Sequence, residues 1–410
     1  MTQSLVIAGA GHAAGQTVVS LRQAGFDGPI TMVGEEPYPP YQRPPLSKKF
    51  LAGELELERL LLRRARYYRD HDIDLRLSTR VETIDRDHKS VLLSDGERLH
   101  YDSLVAATGS QARQLNIPGH GLTGINYLRT VDDVLRIRKG FSVGERLVVV
   151  GGGYIGLEVA AVAVSHGLHV TVLEVVDRVM SRVVAPPVSE FFESIHREAG
   201  VKIRCGARPA AEFVGRDSVQ AVVLDDGEEV PADLVLIGVG ILPNVALASA
   251  AGLECDDGIV VDEFCRSSDP DILAVGDCTN HPNSLLGRRL RLESVHNAQE
   301  QAKTAAATLC NDLKPYAQIP WFWSDQYDIK LQIVGLSGDH DEIAIRGDPA
   351  SRSFAVFYLR AGQLIAVDAI NSAREFMLAK KLIAAGAHFS QQTLEDSAID
   401  FKQLAADALA

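Results

Sequence analysis

Two short stretches constrain this chain more than anything else in it. "VIAGAGHAAGQ", Val6 to Gln16, and "VVVGGGYIGLE", Val148 to Glu158, each run an apolar strand into glycines and then into a helix-forming segment. The first reads Gly9-x-Gly11-x-x-Ala14 and the second Gly151-x-Gly153-x-x-Gly156. In such a turn the first glycine makes the bend and the second lets backbone N–H groups approach a pyrophosphate. The third small residue lets the helix pack on the strand. The helix N-terminus adds free donors and partial positive charge. Each copy is followed, at the end of the next apolar run, by an acid: Glu35 and then Glu174. A carboxylate there accepts from ribose hydroxyls and repels a 2′-phosphate, so Glu174 favours NADH over NADPH. Arg178 and Arg182 lie close enough to soften that preference, or are ordinary surface arginines. One glycine turn is weak evidence. Two complete strand–turn–helix–strand–acid units imply two dinucleotides.

The rest of the chain fits an α/β protein of several domains. "EEPYPPYQRPPLSKKF" is a loop whose prolines forbid a helix until about Leu46, where "SKKFLAG" can begin one. "HDIDLRLSTRVETID" and "SVLLSDGERLHYDSLVAATGS" alternate as strands and close on Ala107-Thr108-Gly109; "PADLVLIGVGILPN" is a buried strand ending at Gly238 and Gly240. Past Ile319 the texture changes to "WFWSDQYDIKLQIVGL", "SFAVFYLRAGQLIAVDAI" and the helical "AREFMLAKKLIAAGA", a small sheet with a helix against it.

Bulk properties exclude several classes. A chain of 410 residues exceeds one ordinary core. Its formal net charge of −13 argues against nucleic-acid binding, which needs a basic face. The five cysteines, Cys205, Cys255, Cys265, Cys278 and Cys310, form no C-x-x-C, so neither a redox dithiol nor a zinc ribbon is expected, and no metal site. Widely spaced thiols suit a reducing compartment. The most apolar stretch, Leu147 to Leu168, is broken by glycines and holds Glu158 and His166, so it reads as strand and helix rather than a membrane span. No n-region and h-region precede the first strand, and a cytoplasmic protein is expected.

"SSDPDILAVGDC", Ser267 to Cys278, sets Asp277 at the carboxyl end of a strand, over the crevice where open sheets bind ligands. Here the chain resembles flavoproteins with two dinucleotide domains, whose second flavin motif ends in A-x-G-D. That likeness implies FAD on the N-terminal turn and NAD on the internal one. The fold class is then α/β with two Rossmann-like domains and a C-terminal α+β domain, as in glutathione reductase. The implied boundaries are 1–112 with 242–318 for FAD, 113–241 for NAD and 319–410 for the third domain.

No cysteine stands in "YQRPPLSKKF", where relatives using thiol chemistry place one. That segment, with "GGGYIGLE", "AVGDC", "ESVHNAQEQA" and "WFWSDQYD", is similar instead to the oxygenase-coupled NADH–ferredoxin reductases over essentially the whole chain. The resemblance implies that Ala13 and Ala14 line the FAD pyrophosphate turn, with Glu35 on the adenosine ribose. It places Arg43 and Lys48 near the phosphates and flavin edge, Val81 at the adenine, Arg129 near the diphosphate and Asp277 on the ribityl chain. Ala107, Thr108 and Gly109 complete this side. Val295 opens the helix "VHNAQEQAKTAAATL", whose N-terminus would stabilise charge on the flavin pyrimidine. Tyr154, Ile155, Glu174 and Gly240 join the second glycine turn on NAD. Lys48 and Glu158 look like the pair flanking the nicotinamide, or are a loop lysine and a helix glutamate that never meet. Trp323 resembles an aromatic packed on the flavin; Trp321 reads as a core residue. His296 invites a proton-transfer role, although hydride transfer needs none.

The implied reaction passes a hydride from NADH to FAD, and electrons singly to a [2Fe–2S] ferredoxin that feeds a haem-thiolate monooxygenase or Rieske dioxygenase. An acidic ferredoxin needs a locally basic dock, for which "GRRLRLES" (Arg288, Arg289, Arg291) and Lys380 with Lys381 are candidates. The competing readings are reduction of a small acceptor such as a quinone, and a flavoprotein that uses NADH binding as a signal. A monomer or weak dimer is expected, with no nucleic-acid or membrane partner.

Overall fold

Leu5–Ala8 is buried along its whole length, as a strand covered on both faces must be. In the computed structural model, which describes residues 3–284 and 286–410, it is the middle strand of a parallel five-stranded sheet. The strands run in the order Ile272–Ala274, Ser103–Ala106, Leu5–Ala8, Ile30–Val33, Ile73–Arg76. Ala8 pairs with Val33 on one side and Ala106 on the other. The pleat sends alternate side chains to opposite faces. Leu5 and Ile7 join one apolar cluster with residues of the helices His12–Gln23 and Val295–Leu309. Val6 and Ala8 join another with Val81, Ile84, Val91 and Leu93 of a three-stranded antiparallel sheet. This compact unit comprises Met1–Arg43, Glu56–Gln111 and Ile241–Pro320, so its edge strand is supplied by a segment far along the chain.

The second unit holds Pro44–Leu55, Ala112–Gly240 and Trp321–Ala410. Within it the plan repeats. A parallel sheet runs Lys202–Arg204, His169–Leu173, Arg146–Val150, Leu234–Ile237, Ile125–Asn126, and the strands Ala210–Gly215, Val219–Leu224 and Glu229–Pro231 form an antiparallel sheet of three. Val148 and Val150 share a cluster with Phe213, Val222 and Val230 of that sheet. The remaining strands make an antiparallel sheet of five, in the order Trp321–Gln326, Ile329–Gly335, Gln363–Ile370, Ser353–Arg360, Glu342–Asp348, with the helix Ala373–Ala384 packed against it.

One expectation gives way. No helix begins at "SKKFLAG": Pro44–Ser47 is a single 3₁₀ turn, followed by further turns to Gly53. The amides of Lys48 and Phe50 both donate to the Pro45 carbonyl, which spends it on short-range bonds, and Gly53 at φ +77° ends the run. The stretch Leu147 to Leu168 divides into the strand Arg146–Val150 and the helix Tyr154–Ser165, and no helix among the described residues is long and apolar enough to cross a membrane.

Asp368 is wholly buried in the strand Gln363–Ile370. Tyr358 donates to its Oδ2, and the Ala185 N–H donates to Tyr358 Oη at 2.8 Å. Burial pushes the Asp368 carboxyl up to about 7, against the pull of the Tyr358 hydrogen bond. The folded chain therefore holds this proton where the unfolded chain has lost it, and the associated stability disappears as pH rises through about 7. Thermal melts from pH 5 to pH 8 should lose less in Asp368→Asn than in the wild type, by about 2–4 °C. Equal losses in both proteins would refute the assignment.

Candidate active site

At the first glycine turn, Gly9 has φ +121°, and a Cβ there would lie 2.2 Å from the Ala107 carbonyl oxygen. Only glycine fits. Gly11 differs: a Cβ would meet nothing within 4 Å, and the helix it opens, His12–Gln23, has no side-chain cap. Open space beside uncapped backbone donors is the cradle a pyrophosphate needs. Ala13 and Ala14 are buried on the following turn, where Ala14 closes the helix on the sheet. The two acids after the next strand have different surroundings. Glu36 is bound by the Arg43 guanidinium at 2.8 Å and by the Tyr41 hydroxyl at 2.5 Å. Glu35 is 72% exposed, with Arg80 at 3.4 Å. Burial opposes the Arg43 charge, but Tyr41, Glu36 and Asp277 outweigh it and raise its pKa. Val81 is buried at the start of its strand.

Asp277 is held by hydrogen bonds the sequence does not announce. Ser110 Oγ donates to its carboxylate at 2.9 Å. The Gly276 N–H donates to Gln301 Oε1 at 2.7 Å, and Thr279 donates to the same oxygen, which ties the A-x-G-D turn to the helix Val295–Leu309. Ser294 caps that helix through the Asn297 amide. The Asn244 amide donates to the Thr108 carbonyl, Asn244 N–H to Gly109, and Thr108 Oγ1 to the Asn244 carbonyl, fixing the Ala107-Thr108-Gly109 loop.

The second glycine turn is built the same way. Gly151 has φ +107° and lies so close to Gly238 that a Cβ would be 2.5 Å from its carbonyl oxygen. Gly153 faces open space, and its helix also lacks a side-chain cap. Gly156, unlike Ala14, admits nothing larger, since a Cβ would be 2.4 Å from the Gly151 oxygen. Glu174 accepts from the Gly152 N–H at 2.7 Å and the Val176 N–H at 3.2 Å, so its carboxylate is latched to the turn itself. Arg178 donates to the carbonyls of Val184 and Ser181 and to Ser189 Oγ, which ties its guanidinium to its own loop and the helix Pro186–Glu198. Arg182 is exposed, with one amino nitrogen 3.9 Å from the Cβ position of Gly240. Ile155 is exposed in the first turn of the helix.

Lys48 and Glu158 do meet. Glu158 is only 4% exposed, on the inner face of Tyr154–Ser165, and Lys48 Nζ is 2.8 Å from its Oε2. Ser47 Oγ also donates to Oε2, and Ser324 Oγ donates to Oε1 at 2.6 Å. A carboxylate so enclosed is tolerated because it is paired and hydrogen-bonded. Sequence reasoning singles out neither serine, although they lie inside "YQRPPLSKKF" and "WFWSDQYD", because neither shows its fold partner in sequence. Tyr154, one helical turn before Glu158, lies against Phe322 with ring centroids 4.7 Å apart. Burial, then Asp368 and Glu158, push its phenol well above the ordinary range. Trp323 alternates with Phe322 and Ser324, so it lies on the other face of its strand, 5.4 Å from Trp321. Trp321 in turn packs on Phe376, with the Lys380 ammonium over its ring at 4.8 Å. By unit, Lys48, Arg129, Glu158 and Trp323 fall in the second; Arg43, Val81, Asp277 and Val295 fall in the first. The Arg129 N–H donates to Asp133 at the entrance of the helix Val131–Arg138.

All five cysteines are free thiols, and burial raises each of their pKa values, Cys205 up to about 12. None is poised as a thiolate nucleophile. The candidate dock is partly spent: Arg289 donates to the carbonyls of Val261 and Asn280, and Arg291 pairs with Asp257 and Glu293.

The chain is similar to several known proteins along nearly its full length. Putidaredoxin reductase of Pseudomonas putida is 45% identical over 99% of this chain and 98% of its own length. Rhodocoxin reductase of Rhodococcus erythropolis is 41% identical over 97% of this chain and 93% of its own. The ferredoxin–NAD(+) reductase component of the anthranilate 1,2-dioxygenase system of Burkholderia cepacia is 43% identical over 97% and 98%. The chain matches the crystal structure of the covalent putidaredoxin reductase–putidaredoxin complex with a TM-score of 0.96 and 44% identity, covering 100% of this chain and 99% of that one. Residues 321–405 match the reductase C-terminal family. Matched over residues 3–302 and carrying two glycine cradles of one design, the chain belongs to the pyridine nucleotide-disulphide oxidoreductase family.

Proposed function

We propose that this protein is an FAD-dependent NADH:ferredoxin oxidoreductase that passes electrons to a [2Fe–2S] ferredoxin supplying an oxygenase. The observation that carries this reading is similarity to ferredoxin reductases along nearly the full length, C-terminal domain included. Bound FAD supplies the conversion of a two-electron donor into single-electron deliveries. The chain supplies binding, alignment and charge. The turn at Gly9 and Gly11, with Glu35, Arg43, Val81, Thr108, Asp277 and Val295, holds FAD; the turn at Gly151 and Gly153, with Glu174 and Gly240, holds NADH. Glu174, latched beside the turn, and Arg178, committed to its own loop, favour NADH over NADPH. Lys48 and Glu158 flank the nicotinamide, and Trp323 with Arg129 serves the flavin side. The domains follow the divisions 1–112 with 242–318, 113–241 and 319–410. That no cysteine is poised as a thiolate supports direct electron delivery, and five free thiols support a reducing, cytoplasmic setting.

Purified yellow protein should reduce cytochrome c with NADH at a rate that rises at least about 10-fold when a small [2Fe–2S] ferredoxin is added, and falls with salt. Flavin bleaching by NADH with no ferredoxin effect would overturn the acceptor and favour a quinone-like small molecule. Thiol-blocking reagents should leave the rate unchanged; rapid inactivation would contradict the thiol-free reading.

A further inference from the structure

The ion pair at Lys48 is one end of a longer chain. Ser324, Gln326 and His196 are all buried, and none belongs to the dinucleotide turns. Gln326 Nε2 donates to Ser324 Oγ at 3.2 Å, and Gln326 Oε1 lies 2.8 Å from His196 Nε2. Tyr327 Oη lies 3.0 Å from His196 Nδ1, and the residue is 39% exposed. Ser324 Oγ then donates to Glu158 Oε1 at 2.6 Å.

The direction of every bond follows from one amide. Because Gln326 Nε2 is spent on Ser324, its carbonyl oxygen faces His196 and can only accept. His196 therefore carries its hydrogen on Nε2, leaving Nδ1 bare to accept from the Tyr327 hydroxyl. Burial lowers the His196 pKa to about 4, against the Gln326 hydrogen bond, so the ring is neutral at pH 7. Tyr327, His196, Gln326 and Ser324 thus donate in one sense, ending on the carboxylate. Bonds aligned this way polarise one another and strengthen the last. An amide does not pass on a proton under these conditions, so the chain orients and does not conduct.

We propose that Ser324 is a positioning residue for the hydride step, the final donor of a one-way hydrogen-bond chain that fixes the Glu158 carboxylate and, through it, the Lys48 ammonium. This rests on the reading that Lys48 and Glu158 flank the nicotinamide. Oε2 is shared by Ser47 and Lys48, whereas Oε1 receives the Ser324 hydroxyl. Removing that hydroxyl frees the carboxylate to turn and carries the ammonium with it.

The test uses holoenzyme in single-turnover stopped flow. Ser324→Ala should lower the limiting rate of flavin reduction by NADH about 10-fold, with NADH affinity within about twofold of wild type. Ser324→Thr, which keeps the hydroxyl, should recover most of the rate. Imidazole ¹⁵N spectra of the resting holoenzyme should show His196 as the neutral Nε2–H tautomer at pH 7. An Nδ1–H tautomer would reverse the chain and overturn the proposal. So would a wild-type rate in Ser324→Ala while Glu158→Gln is slow. If Ser324→Ala fails to fold, Tyr327→Phe removes the first donor at an exposed position and should cost about two- to threefold in limiting rate at unchanged affinity; no loss there overturns the proposal. A wild-type rate in Glu158→Gln would instead bring down the nicotinamide reading beneath it.

Discussion

Glu158→Gln is expected to slow flavin reduction by NADH by about 10²–10³-fold in a protein that is still folded and yellow. The substitution keeps the side-chain shape and leaves an acceptor oxygen for one of the two serines, Ser47 on one side or Ser324 on the other, while the amide NH2 faces the second. It removes the charge that holds Lys48 Nζ at 2.8 Å. The freed ammonium stays half-buried beside a neutral amide, and a misplacement of about 1 Å at a reacting centre is enough for a loss of this size. Lys48→Met should cost a similar factor. The double variant should cost little more than either single one, because residues acting as a unit are not additive. Stopped-flow reduction at saturating NADH is the measurement. A rate within about threefold of wild type in both single variants would show that the pair is structural only.

The second large effect separates the two glycine turns. Gly9→Val should yield protein that purifies with little FAD, whereas Gly151→Val should keep FAD and lose NADH saturation by at least about 100-fold. Both positions demand positive φ and leave no room for a Cβ, which would sit 2.2 Å from the Ala107 oxygen in one and 2.5 Å from the Gly238 oxygen in the other. The turn must open to admit a side chain, and opening it moves the donors of Gly11 or Gly153 away from the pyrophosphate. The flavin absorbance of the purified variants and an NADH titration decide the matter. Swapped phenotypes, with Gly151→Val colourless and Gly9→Val yellow, would reverse which turn holds which cofactor.

Much of this was legible in the chain itself, for a reason that differs from residue to residue. Gly9 and Gly151 declare themselves because a backbone bend is set within a few residues, and only glycine takes the required φ without strain. The strands Leu5–Ala8 and Arg146–Val150 follow from uninterrupted apolar runs, since a doubly covered parallel strand has no polar face to show. That Glu36, the neighbour of Glu35, is bound by Arg43 and Tyr41 shows only in the fold. "SKKFLAG" misled because its composition suits a helix, while the fold spends the Pro45 carbonyl on short-range turns. The basic run at Arg288 to Arg291 looked like a free surface until two of its arginines proved to be bonded within their own unit.

The surroundings of Glu158 mark the boundary most clearly. Two dinucleotide turns, the acids that follow them and the lack of a C-x-x-C dithiol are all written in the order of residues. Tertiary structure alone decided that Ser47, 111 residues before Glu158, and Ser324, 166 residues after it, converge on one buried carboxylate. Local conformation is governed by interactions within a few residues, which leave a period or a spacing that can be read directly. A hydroxyl donating across such separations leaves no period at all, because its partner is fixed only when distant elements pack.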